Sequence, residues 1–410
     1  MAALDGSPIA VPFALPGETV RARVADGRGA PLDLLTPSPE RTDPPCPHHG
    51  RPGGGGERDG AEACGSCALQ HWRDEPYRAW KRDRLVSALR RAGVDAPVDA
   101  LVPCPPAARR RLVLAARQTA GGVVLGFHAA RSERIVAMRE CAVAVPAIVA
   151  ALPDLRALCD AALPPGAAAR VTVLATETGL DVRLDSDREP DEAARRALVP
   201  RCAPFARMAL GDEVLVEREA PLLRFGPVAV VPPPGAFVQA VEGAEAAMAE
   251  LVTDHLAPCR RVADLFSGSG AFALRLAGRA AVHAVEGEAA PLRALDRAWR
   301  AAEGLRRVTT ERRDLDRRPL TVAELDGLHA PGAKPFDGVV FDPPRAGAEP
   351  QSGLLARSGV ARVAAVSCNP ATFARDLRLL VNGGYRIERV VPIDQFLWTP
   401  HLEAVALLRR

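Results

Sequence analysis

Apolar and polar residues alternate in short bursts near the start of the chain. Val20-Arg-Ala-Arg-Val24 and Pro31-Leu-Asp-Leu-Leu35 read as extended pieces between turns. The glycine-rich run over 51–60 predicts a flexible loop. A helical period follows over about Tyr77–Ala92, with Leu85, Val86 and Leu89 on its apolar face and Gly93 as its stop. From about 110 to 235 the pattern predicts strands at 111–116, 123–127, 171–176, 180–184 and 213–217. Pro232-Pro-Pro-Gly235 marks a boundary, and the rhythm then changes. Strands predicted at 261–266, 281–286, 308–311, 336–342 and 362–367 alternate with helices, notably 289–302 and 371–382. Two last strands, at 385–391 and 402–408, are joined by a loop too long for a tight hairpin. Strand–helix alternation of this kind predicts an α/β, doubly wound, mostly parallel sheet. The chain divides into residues 1–42, a β-rich 43–235 and an α/β 236–410, with no internal repeat.

Composition adds limits. The chain has 410 residues, 48% hydrophobic and 25% charged, ordinary values for a globular protein with a sizeable core. Its net charge of +3 permits a polyanionic partner without demanding one. Lys81 and Lys334 are the two lysines; every other basic residue is arginine. The first residues lack the pattern of a secretion signal, and the apolar run Ala142–Leu152 is short and broken by Pro146. A cytoplasmic monomer without a membrane span is expected. Nine cysteines in such a chain point to metal or catalytic use rather than disulfides.

Val262-Ala-Asp-Leu-Phe-Ser-Gly-Ser-Gly-Ala-Phe-Ala273 reads as a strand, a glycine loop and a helix start. Gly268 and Gly270 let the backbone approach a ligand closely, and Glu286 at the next strand's end is placed to hold both ribose hydroxyls of a nucleoside. This loop fits a nicotinamide dinucleotide as well as a methyl donor.

Three further segments narrow the chemistry. Val339-Val-Phe-Asp-Pro-Pro-Arg345 is an apolar strand ending in Asp342, and Ala364-Ala-Val-Ser-Cys-Asn-Pro370 is another, ending in Cys368. Thr399-Pro-His-Leu-Glu403 enters the final strand. Methylating C5 of a uracil needs a thiolate to add to C6, a bound sulfonium and a base for the C5 proton. Cys368, the glycine loop and Glu403 supply that set. An isolated cysteine at a strand end is more often a small buried hydrophobe. What favours chemistry here is the placing of Asp342 and Cys368 at the exits of neighbouring strands. A partly exposed, partly ionised thiol is expected.

Together with Phe373-Ala-Arg-Asp-Leu377, these motifs resemble those of the bacterial RNA uracil-C5 methyltransferases, nearly in order, from about residue 230 to the end. The resemblance implies a Rossmann-like class I methyltransferase domain, with Cys368 as nucleophile and Glu403 as proton acceptor. It places Gln239, Phe266, Glu286, Asp314 and Asp342 around S-adenosylmethionine, and gives His401 no assigned role. Val241 and Ala271 stand where family members often carry Asn.

Cys64-Gly-Ser-Cys67 brings two thiols together, a spacing that suits zinc, a redox pair or an iron–sulfur cluster. Cluster-bearing relatives have a similar Cys-Pro-His start, a CxxC before Leu-Gln-His, and a later cysteine after Gly-Phe. Cys46-Pro-His-His, Cys64–His71 and Gly126-Phe127 ahead of Cys141 match these. The resemblance therefore implies a structural [4Fe–4S] cluster on Cys46, Cys64, Cys67 and Cys141. Seventeen residues separate Cys46 from Cys64, where relatives usually have a few. Loop-closure cost grows slowly enough to allow it. Cys104, Cys159, Cys202 and Cys259 read as buried thiols.

Ala14–Val24 resembles the second half of a TRAM-type β-barrel, so a truncated N-terminal TRAM/OB-like β module is expected. Arg109-Arg-Arg111 matches a basic stretch of relatives and fits either a phosphate contact or a solvated strand. Aromatics, at 4%, do not support extensive base stacking. The expected partner is RNA, most closely large-subunit ribosomal RNA, with transfer RNA as the rival. An NAD(P)-dependent oxidoreductase and a noncatalytic RNA-binding protein are the readings from other classes.

Overall fold

The computed structural model describes residues 2–4, 7–25, 28–50 and 63–410, so the glycine-rich stretch over 51–60 lies outside the described residues. At the start, β1 (Ala2–Leu4) pairs antiparallel with β2 (Ser7–Ile9), and β3 (Thr19–Ala25) with β4 (Arg28–Thr36). This small β module is held to the next segment by Glu18, which accepts from Arg41 Nε and Nη2 at 2.6 Å each and from the Ser38 amide at 3.1 Å.

The middle of the chain forms a seven-stranded sheet. Its strands are β5 (Arg111–Thr119), β6 (Gly122–His128), β7 (Ile135–Ala137), β8 (Ala168–Thr176), β9 (Gly179–Ser186), β10 (Arg207–Leu210) and β11 (Glu213–Glu217). They lie in the order β11-β10-β9-β8-β5-β6-β7, antiparallel except for the parallel pair β9–β10. The period of two is plain in β5: Leu112, Leu114 and Ala116 are buried while Val113 faces solvent. That inner face packs on Leu155 and Leu158 of the helix Leu152–Ala162. A hairpin of β12 (Leu223–Phe225) and β13 (Val228–Val230) then leads into the last third.

There a second seven-stranded sheet contains β14 (Arg261–Leu265), β15 (Ala281–Glu286), β16 (Val308–Arg312), β17 (Gly338–Phe341), β18 (Arg362–Ser367), β19 (Arg386–Ile393) and β20 (Glu403–Arg409). The order is β16-β15-β14-β17-β18-β20-β19. Strands β14 to β18 run parallel, and β20 lies antiparallel between β18 and β19. Helices cover both faces, so the central strands are mostly apolar, with buried Asp264 in β14 the charged exception. Val339 and Phe341 point into one layer and Val340 into the other. Strand order reverses between β14 and β17, which opens a crevice at their carboxyl ends.

The helix Asp74–Arg91 precedes the β-rich region in sequence but packs against the helix Pro370–Asn382 of this last sheet. It starts three residues before the expected Tyr77 and buries Leu85, Ala88 and Leu89, with Val86 only partly covered. The same stripe runs back through Lys81 and Tyr77, both fully buried. Among the described residues no helix is long and apolar enough to cross a membrane.

Candidate active site

The crevice is built by the loops that leave β14, β15, β17 and β18, and by the loop over 394–402 before β20. After β14 the chain turns sharply: Phe266, Gly268 and Gly270 have φ of +62°, +52° and +96°. The two glycines serve different needs. A Cβ on Gly268 would meet nothing within 4 Å, so its face is open to a ligand. A Cβ on Gly270 would strike Leu295 at 2.8 Å, so that glycine admits the helix Ala289–Ala301 instead. Phe266 pays the left-handed strain without a glycine's freedom, as residues at functional turns often do.

Glu286, at the end of β15, accepts the Gly268 amide at 3.0 Å through Oε2 and the Glu288 amide at 3.0 Å through Oε1. Beneath the loop lies Asp264, fully buried, its carboxyl held well above the usual range by burial and by the charges of Asp342 and Glu286. Ser267 and Ser269 are buried and their hydroxyls have no partner. A shaped, open backbone turn ringed by unsatisfied polar groups fits a nucleoside ligand. Asp314 follows β16, but its carboxylate is taken up in its own turn, accepting the Asp316 and Arg317 amides at 3.1 and 3.2 Å.

Across the switch point, four side chains form one hydrogen-bonded chain. Gln239 Nε2 donates to Asp342 Oδ2 at 2.8 Å. Gln395 Nε2 donates to Gln239 Oε1 at 2.7 Å and to Glu403 Oε1 at 3.1 Å. The other Glu403 oxygen, Oε2, is buried without a partner. Burial pushes Asp342 up to about 7 against the opposing donation from Gln239. Burial, reinforced by the Asp342 charge, holds Glu403 well above the usual carboxylate range.

Cys368 sits at the exit of β18, half-buried and close enough to feel both carboxylates. Its loop is tied to the loop after β17, because Asn369 Nδ2 and Thr372 Oγ1 donate to the Arg345 carbonyl at 2.9 and 3.2 Å. Asn369 also caps the following helix by accepting the Ala371 amide at 3.1 Å. The thiol is partly exposed, as expected. Burial and then the Glu403 and Asp342 charges push it up to about 11, with Arg345 opposing. Neutral forms of the nearby carboxyls, or a cation brought close, would favour the thiolate.

Of the predicted residues, Gln239, Asp342, Cys368 and Glu403 are thus brought into one constellation beside the cradle of Phe266, Gly268, Gly270 and Glu286. Sequence reasoning missed Gln395, the link in the middle, and Asp264. Asp264 carried a readable signal, an acidic residue inside an apolar strand just before the glycine loop. His401 faces solvent, with Arg345 Nη2 donating to its ring at 3.3 Å.

Comparison with known proteins gives this geometry its setting. A model of the tRNA (uracil-5-)-methyltransferase family matches residues 298–410. A protein of Mesorhizobium japonicum described as an uncharacterized RNA methyltransferase is 50% identical over 100% of this chain and 94% of its own length. The 23S rRNA (uracil(1939)-C(5))-methyltransferase RlmD of Chromohalobacter salexigens is 34% identical over 99% of this chain and 85% of its own.

The chain belongs to the RNA uracil-C5 methyltransferase family.

Family membership makes it an RNA methyltransferase and removes both the nicotinamide and the noncatalytic readings. The fold agrees. The Pyrococcus abyssi tRNA (uracil-54, C5)-methyltransferase, solved with S-adenosyl-L-homocysteine, superposes with a TM-score of 0.72 at 24% identity, covering 98% of this chain and 95% of that one.

Cys46, Cys64, Cys67 and Cys141 line one small cavity, with Phe127 and Met138 among its walls. The CxxC segment is fixed by backbone: the Cys64 amide donates to the His48 carbonyl at 2.9 Å and the Gly65 amide to the His128 carbonyl at 3.0 Å. Burial, and then the other cysteines, push Cys67 up to about 12, while Cys64 and Cys141 are also raised, chiefly by burial. Among the described residues no three His, Cys, Asp or Glu side chains converge closely enough for a single metal ion. Cys104, Cys159, Cys202 and Cys259 are buried, as expected of packing thiols.

The arginine stretch divides by role. Arg110 is buried and pairs with Glu245 Oε2 at 2.7 Å, and Arg111 donates to the Ala236 carbonyl at 3.0 Å. Both tie the start of β5 to the segment over 235–245. Arg109 instead lines a cavity of about 230 Å³ that runs from Cys67 to Arg345, Gln395, Phe396 and His401.

Proposed function

We propose that this enzyme forms 5-methyluridine in large-subunit ribosomal RNA, with Cys368 as nucleophile, Glu403 as proton acceptor and S-adenosylmethionine as donor. The observation that carries the reading is a half-buried thiol beside a buried carboxylate whose second oxygen is unpartnered.

Cys368, once its thiol proton is lost to solvent, bonds through sulfur to uracil C6, and the C5–C6 π pair moves out to make the ring an enolate with a nucleophilic C5. When bound, the donor supplies an electrophilic methyl on a sulfonium and a positive charge. Glu403 Oε2 then accepts the C5 proton, the C5–C6 double bond re-forms, and the S–C6 electrons return to Cys368. Gln395 and Gln239 orient the two carboxyls, and the raised Asp342 favours a protonated carboxyl able to donate. Gly268 and Glu286 are the residues that would hold the donor's nucleoside, with Phe266, Gln239, Asp314 and Asp342 around it. A target inside folded RNA must be flipped out to reach Cys368, and the cavity lined by Arg109, Arg345 and Phe396 is the entrance.

A [4Fe–4S] cluster on Cys46, Cys64, Cys67 and Cys141 completes the reading. The lining of one small cavity by all four cysteines supports this reading. A structural role is proposed, since methylation transfers no net electrons. The choice of ribosomal RNA is supported by the similarity to RlmD across 99% of the chain.

The test uses RNA carrying 5-fluorouridine with S-adenosylmethionine. Fluorine cannot leave C5 as a proton, so a covalent protein–RNA adduct should accumulate with the wild type and be absent with Cys368→Ala. Absence of adduct with the wild type on both ribosomal and transfer RNA would overturn the mechanism. Methylation of transfer RNA alone would overturn the choice of target.

A further inference from the structure

The loop over 394–402 carries Gln395, and with it the orientation of Glu403. What holds this loop comes from far upstream. Lys81 and Asp394 form a fully buried ion pair, and Lys81 Nζ also donates to the Phe396 carbonyl at 3.0 Å. Tyr77 Oη donates to Asp394 Oδ1 at 3.2 Å and accepts the Trp398 amide at 2.7 Å. Trp398, at φ +57°, is a strained residue of this loop. Its carbonyl accepts the amides of Ala68 and Leu69, each at 3.0 Å, directly after the CxxC.

Lys81 is one of two lysines among 53 basic residues. Its surroundings show what suits a lysine there. The acceptors are one carboxylate oxygen and one carbonyl two residues on, which a compact ammonium meets as a point charge. A guanidinium spreads its donors in a plane and needs more room. A buried pair of this kind gives little net stability over apolar residues of similar volume. Its value lies in fixing one geometry.

We propose that Lys81, with Tyr77, is a positioning residue for the proton-removal step: by gripping Asp394, Phe396 and Trp398 it sets Gln395, which in turn aims Glu403 at the C5 proton. Neither side chain touches the reacting atoms. This rests on the proposed roles of Cys368 and Glu403, and it locates a determinant of turnover in a helix outside the catalytic third of the sequence.

The experiment compares the wild-type chain with the double variant Lys81→Met/Asp394→Asn and with Tyr77→Phe. The double variant removes both buried charges together, so it avoids leaving either unpaired. Circular dichroism and thermal melting check folding. On ordinary uridine RNA, kcat should fall roughly 10- to 100-fold, the scale of a misplacement of about 1 Å. A methylated protein–RNA adduct, stable to denaturing electrophoresis, should become visible because its breakdown waits on Glu403. With 5-fluorouridine RNA, where no proton is removed, adduct should form at the wild-type rate.

Wild-type turnover in the folded double variant overturns the proposal. So does slowed turnover with no adduct on uridine RNA, or equally slowed trapping by 5-fluorouridine, since both point to RNA binding or general distortion. If neither variant folds, the pair is a folding element and the proposal fails. A wild type that traps no 5-fluorouridine RNA instead removes the reading on which this one stands, so the two failures are distinct.

Discussion

One amide nitrogen serves two partners: Gln395 Nε2 donates to Glu403 Oε1 at 3.1 Å while reaching Gln239 Oε1 at 2.7 Å. For Glu403 this donation opposes a burial that otherwise favours its protonated form. Gln395→Ala therefore raises Glu403 further and leaves it less often a base. Turnover should drop about 10- to 100-fold, with the remaining activity displaced toward higher pH. Steady-state kinetics across pH checks this, and a profile unchanged in position would sink it.

Cys368 is raised to about 11 by burial first and by Glu403 next. Removing a nearby negative charge stabilises a thiolate, so Glu403→Gln should lower the thiol pKa. Alkylation of Cys368 by iodoacetamide, followed by mass spectrometry of its peptide, should reach half-maximal rate at lower pH in the variant. Below that point the variant should react faster than the wild type. Equal rates would mean that the two groups do not sense each other.

The donor cradle predicts a separate phenotype. Gly268→Val places a branched side chain at φ +52° and into the space the turn leaves open. Backbone strain should cost about 1–3 kcal/mol of stability, visible in urea denaturation. Binding of S-adenosylhomocysteine, measured by calorimetry, should be lost. Gly270→Ala should destabilise through its 2.8 Å clash with Leu295. Binding that persists in Gly268→Val would move the donor site elsewhere.

These predictions rest on contacts of unequal visibility in the sequence. The strands β15, β18 and β11 begin and end where the alternation places them, because their patterns are bounded by turn residues. The positions of Cys368 and Glu403 at strand ends were legible for the same reason: each lies at the edge of an apolar run, where a polar residue stands out. Gln395 was not, since a glutamine in a loop has no period, and its partners lie 156 and 8 residues away. Helix Asp74–Arg91 showed its period, but its face was misjudged at Val86, because the stripe also takes in small Ala88 and buried Lys81. A buried lysine reads as a surface residue until Asp394 is seen opposite it. Arg110 misleads in the same way, looking like part of a basic surface while its partner Glu245 lies 135 residues on.

That arginine makes a stability prediction. Glu245, in the helix Glu242–His255, is buried and accepts from Arg110, just before β5, at 2.7 Å and from Arg275 at 3.0 Å. Glu245→Leu leaves Arg110 buried without its carboxylate, a loss of about 3–5 kcal/mol. The urea midpoint should fall accordingly. A midpoint shift worth under about 1 kcal/mol would show that the pair is solvated in practice, as exposed pairs are.

The cysteine cavity gives the most direct chemical readout. Burial and the neighbouring cysteines raise the thiols, Cys67 to about 12, and binding to a cationic centre favours their ionised forms. Protein purified without oxygen should be brown and contain iron and acid-labile sulfide in equal amounts. Cys64→Ser should lose most of that colour, because the serine keeps the backbone bond to His48 while removing a soft sulfur donor. Since the amides of Ala68 and Leu69 hold Trp398, removing iron should also loosen the loop over 394–402. Chelation should then lengthen the life of the protein–RNA adduct on uridine RNA, in the same direction as Tyr77→Phe. A colourless, zinc-loaded wild type would refute the cluster. Iron loss that leaves adduct lifetime untouched would confine the cysteines to holding their own segment.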